Sequence, residues 1–98
     1  MIKKTIVKIK ARIRARKTFR FYKSIVRELE RDKDFISLFG QWKILEVVQE
    51  RLFKLARTAI SLDLREEIYL YLKHVINLMD EIASKHNQEV KNEEHRDN

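Results

Sequence analysis

The sequence has no cysteine, no proline and a single glycine, Gly40. Without cysteine there is no disulfide and no thiolate metal site, a composition suited to a reducing compartment, the cytosol or an organellar matrix. One glycine leaves few positions for the φ > 0 turns of an all-β fold, so long helices with short connections are the natural reading. No apolar run approaches the ~20 residues of a membrane span, and the N-terminus lacks the short apolar core of a secretory signal. Acidic residues are absent from positions 1–27, which hold eleven lysines and arginines. The other 71 residues hold eleven basic and fifteen acidic groups, so the net charge of +7 is a local basic pole on a mildly acidic body. Such a pole suits nucleic acid, anionic lipid or the acidic part of the same chain. In composition it also resembles an organellar presequence, although serine is sparse.

At 98 residues the chain is read as one domain able to bury a modest core. Its longest helical pattern spans 34–59, where Phe35, Leu38, Trp42, Leu45, Val48, Leu52, Leu55 and Ala59 recur at steps of three and four. Asp34 is placed as the N-cap. Gly40, inside this helix, is explained by close approach of another helix, and Glu50 with Lys54 forms a surface pair. After Ile60–Leu62 the run Asp63-Leu64-Arg65-Glu66 reads as a capping box. It starts a last helix over 63–85 that buries Leu64, Ile68, Leu72, Val75, Met79 and Ile82. Beyond Lys85 only Val90 is left to bury, and 86–98 is read as a frayed or disordered polar tail.

The first third is ambiguous. Ile2, Ile6, Ile9 and Ile13 fit one helical face, while Val7 to Ala15 alternate with basic residues as a strand would. No partner strand exists elsewhere, so 1–17 is assigned as a basic helix. Thr18 can cap a separate helix over 18–31 that buries Phe19, Tyr22, Val26 and Leu29. Alternatively, Ala11, Ala15, Phe19, Tyr22 and Val26 form one stripe and 2–31 is a single helix. Together these segments predict an all-α fold, a small antiparallel three- or four-helix bundle with a basic N-terminal helix and a polar C-terminal tail.

Chemistry-bearing constellations are sparse. His74, His86 and His95 match no metal-binding spacing, and boundary or solvent positions are expected for all three. Ser24, Ser37, Ser61 and Ser84 sit in no nucleophile elbow, and one glycine cannot build a phosphate-cradling loop. The chain is therefore read as non-catalytic, without cofactor or metal. Among the aromatics, Phe19, Tyr22, Phe35 and Trp42 are assigned to the core, and Phe21 and Phe39 to contacts or a second packing face. The candidate site is the basic segment: Lys3, Lys4, Lys8, Lys10, Arg12, Arg14, Arg16, Lys17 and Arg20. These side chains can neutralise phosphates, or can lie on an anionic membrane with the four isoleucines inserted. The same spacing also suits packing of those isoleucines onto the other helices.

Ile25-Val26-x-Glu28-Leu29-x-x-Asp32, then Ile44-Leu45-Glu46-Val47-x-Gln49, Lys54-Leu55 and Leu62-Asp63 resemble the enterocin A type of class IIa bacteriocin immunity proteins at matching spacing. The likeness covers residues 25–68. It implies a basic, cytoplasmic, antiparallel four-helix protein without catalysis, whose protein partner is a membrane receptor, a mannose-type sugar permease, once bacteriocin has bound. In that family the C-terminal part sets which bacteriocin is countered. This chain departs from the pattern by about two dozen extra residues before Ile25 and by having no clear fourth helix after Ile82. A second likeness is Phe21-Tyr22-Lys23 followed by Arg27, similar to the Leu-Tyr-Arg signature of small, basic, three-helix mitochondrial assembly factors, with the first and third signature residues substituted.

Overall fold

A computed structural model describes residues 2–96, with side chains described for 3–92. The expectations for the side chains of Ile2 and His95, and for the end of the polar tail, lie outside the described residues. Three helices make up the fold: α1 (Ile2–Asp32), α2 (Leu38–Thr58) and α3 (Leu62–Arg96), with a 3-10 turn over Lys33–Phe35. No strand occurs among the described residues, and the protein is all-α.

The two readings of the first third resolve into one continuous helix. Nothing between positions 2 and 32 interrupts it, since glycine and proline are absent there. Thr18 caps nothing: its hydroxyl donates back to the Arg14 carbonyl at 2.9 Å, one turn earlier in the same helix. The helix gives way at Asp32 to the 3-10 turn, and Ile36 is extended at φ −121°, ψ 132°.

The start of α2 lies later than the sequence suggested. Asp34 falls within the turn, and Ser37 is the N-cap, its Oγ accepting from the Gly40 N–H at 3.0 Å. Phe35 is thereby left outside α2 and 90% exposed, not core. The tight neighbours of Gly40 belong to this cap rather than to another helix: a Cβ there would lie 3.1 Å from Ile36 Cγ2 and 3.1 Å from Ser37 Oγ. The Glu50–Lys54 pair is not among the ion pairs of the described residues; Lys43 and Glu46 pair instead at 3.7 Å.

At α3 the cap is Ser61, whose Oγ accepts from the Leu64 N–H at 3.3 Å, so Asp63 sits inside the first turn rather than capping it. α3 also runs past Lys85 to Arg96. Elongating a helix that is already nucleated fixes one residue per hydrogen bond gained, and no glycine or proline stops it.

The core draws on all three helices. Phe19, Val26 and Leu29 come from α1; Leu45, Val48, Leu52 and Ala56 from α2; Leu64, Ile68, Leu72 and Val75 from α3. α1 and α3 extend beyond this core, for every residue of 3–10 and of 83–92 is exposed. The radius of gyration is accordingly 18.0 Å, against about 13 Å for a compact chain of this length.

Candidate anionic-partner interface

The candidate site lies along residues 3–20 of α1. Its inner row, Ala15, Phe19, Tyr22, Val26 and Leu29, belongs to the core or packs against it. At 3.6 residues per turn, Ile6, Ile9 and Ile13 fall on the opposite side of the helix, roughly 150° around. Their exposures of 45, 51 and 49% match that placement. The packing of these isoleucines onto the other helices does not occur, because the inner row already supplies the apolar face.

Ile13 shows that this is orientation and not merely overhang. Its neighbours Ala11 and Ala15 are half-buried and line a shallow recess with Thr58, Ala59 and Leu64, at the connection between α2 and α3. Ile13 stands at the same level along α1 and faces away.

All nine basic side chains of the candidate site, Lys3, Lys4, Lys8, Lys10, Arg12, Arg14, Arg16, Lys17 and Arg20, are exposed. Arg16 Nη1 lies 3.7 Å from Glu67 Oε2 on α3, and this is their sole ion pair among the described residues. Helical phase puts Lys10 and Lys17 along one edge of the isoleucine row, Arg12 and Arg16 along the other, and Arg20 in line with the row about two turns beyond. Lys4, Lys8 and Arg14 lie around the far side. The segment is thus one basic cylinder carrying an apolar stripe on its outer face.

The charges were visible in the sequence, but the direction of the stripe was not. A signal for it exists: extended as one helix, the isoleucine row is out of phase with the row of Ala15, Phe19 and Val26. Only one of the two can face the core.

Elsewhere the described residues hold no group of three or more His, Asp or Glu placed for a metal ion. His74 is exposed, with Nε2 3.0 Å from Glu30 Oε1 on α1. It leans on Tyr71, whose phenol is pushed above its usual value chiefly by burial and then by the charge of Glu30. His86 borders a small apolar cleft with Trp42 and Ile82. Phe21 and Phe39 are 59% and 72% exposed, free of the core as their positions off the main stripes suggested. Gln41, not singled out in the sequence, is buried, and its Nε2 donates to the carbonyls of Lys33 and Ile36. No helix is long and apolar enough to cross a membrane among the described residues.

No protein-family model, curated protein or solved structure matches the chain.

Proposed function

We propose that the three helices form an antiparallel bundle serving as the scaffold of a non-catalytic interaction protein, which engages an anionic partner through the outer face of α1. The antiparallel reading rests on the short connection of residues 59–61 and on Trp42, early in α2, bordering the same cleft as Ile82, late in α3. The observation that carries the function is the concentration of nine exposed cations on α1, eight of them without an acidic partner among the described residues. Like charges one turn apart on a single helix repel, and an external anion relieves that repulsion.

Binding of the full chain to heparin, a soluble polyanion, tests this across a salt series. The affinity is expected to fall steeply with salt and to drop when Lys10, Arg12, Arg16 and Lys17, which flank the outer row, are replaced together by Gln. Salt-independent binding, or none, rejects the reading. The immunity-protein resemblance is a separate reading, carried by residues 25–68 and with a membrane receptor as partner. On that reading, expression in a bacterium sensitive to class IIa bacteriocins raises tolerance, and a broad panel without protection, from abundant folded protein, removes that reading alone.

A further inference from the structure

We infer that the anionic partner is the surface of a lipid bilayer, with α1 lying in the headgroup plane and Ile6, Ile9 and Ile13 inserted toward the acyl chains. The inference rests on the anionic-partner reading above and adds what the charges alone do not explain, a stripe of large apolar side chains about half exposed on the face turned away from the core.

Three occupants of that stripe can be compared. A second copy, stripe on stripe, would bring Lys10, Lys17, Arg12 and Arg16 of one molecule against the same residues of the other, with no acidic residue in 1–27 to offset them. Nucleic acid would neutralise the cations and leave the isoleucines in water. An anionic bilayer takes both groups: lysine and arginine stems lie along the apolar boundary with their heads at the phosphates while the branched side chains descend between them.

The rest of the molecule permits this pose. α2 and α3 pack on the inner row of α1, so they lie behind the helix and leave the outer face clear. Beyond Arg20 the same outer row continues with Ser24, Arg27 and Arg31, polar or basic and suited to headgroup level. The isoleucines therefore anchor the first half of α1, and the remainder rests on charge.

The experiment is co-sedimentation of the full chain with vesicles of phosphatidylcholine alone and with a third of phosphatidylserine, beside heparin binding. Wild type is expected to bind the anionic vesicles and to bind the zwitterionic ones at least tenfold more weakly. The triple variant Ile6→Ser, Ile9→Ser, Ile13→Ser is expected to lose at least tenfold in vesicle partitioning, since each methylene withdrawn from an acyl environment is worth about fourfold. It should keep its heparin affinity and its unfolding midpoint, because none of the three residues belongs to the core. Because the chain has no cysteine, single labels can be placed at will: an environment-sensitive dye at Ile9→Cys should shift to the blue on vesicles, and one at Lys8→Cys should not. Vesicle binding unchanged in the triple variant overturns insertion. Heparin binding with no vesicle binding overturns the lipid partner and points to nucleic acid, while loss of both in wild type rejects the anionic-partner reading itself.

Discussion

Gln41 Nε2 donates to the carbonyl oxygen of Lys33 at 2.8 Å, and the same nitrogen lies 2.8 Å from the carbonyl of Ile36. One side chain on the first turn of α2 thereby closes the turn that follows α1. It supplies a donor to the Ile36 carbonyl and a second donor to the Lys33 carbonyl, which also accepts from the Ile36 N–H at 3.2 Å, and it does so 92% withdrawn from solvent. Gln41→Ala is expected to cost about 1–3 kcal/mol in urea unfolding, the range for stranding buried polar groups. Gln41→Glu should cost more at neutral pH, because it removes the donor and sets a carboxylate against two carbonyl oxygens.

Leu52 and Ile13 form a contrasting pair. Leu52 is fully buried at the centre of α2, and Ile13 is half exposed on the outside of α1. Leu52→Ala should lower stability by about 2–5 kcal/mol, whereas Ile13→Ala should stay within about 0.5 kcal/mol. Thermal unfolding of the two variants distinguishes them directly, and a large loss at Ile13 would show that its row is packed.

The start of α3 makes a third comparison. Ser61→Ala removes the side chain that accepts from Leu64 N–H and should cost about 1 kcal/mol. Asp63→Ala removes a charge one position into the helix and should cost less, through the dipole alone. The reverse order would restore the Asp63 capping box.

Tyr71 provides a pH dependence. Burial, then the nearby charge of Glu30, raises its pKa in the folded state above the ordinary value of 10.0, while Arg27 opposes them. The folded chain therefore holds this proton after the unfolded chain has released it. The contribution to stability is complete below pH ~10 and declines as pH rises through the folded value. Absorbance titration should show a late-ionising tyrosine that is absent in Tyr71→Phe. Glu30→Gln should move it back partway.

Much of the architecture was legible from side-chain period and composition. The all-α class, and the buried roles of Phe19, Val26, Leu45, Leu52, Ile68 and Val75, follow from apolar residues recurring at helical steps in a chain without proline. Helix ends were less legible. Asp34, Ser37, Ser61 and Asp63 all have side chains able to cap, and which one does depends on where the backbone turns. At the first junction Gln41 helps set that point by drawing the Lys33 and Ile36 carbonyls inward, which places Ser37 at the helix start and leaves Phe35 outside. The continuation of α3 past Lys85 was missed because apolar period reports packing, while an unpacked helix persists on backbone hydrogen bonds.

By itself, the sequence determined that the chain is helical, that its charge is polarised toward residues 3–27 and that an isoleucine row lies within the basic segment. Each of these follows from residue types and their spacing along one chain. The tertiary structure decided that the Phe19–Val26 row of α1, rather than its isoleucine row, meets α2 and α3. That choice is beyond periodicity because two apolar rows on one helix are locally equivalent. Only the shape and chemistry of the facing helices, where Phe19 meets Tyr71 edge to face at 5.7 Å, select between them and turn Ile6, Ile9 and Ile13 outward.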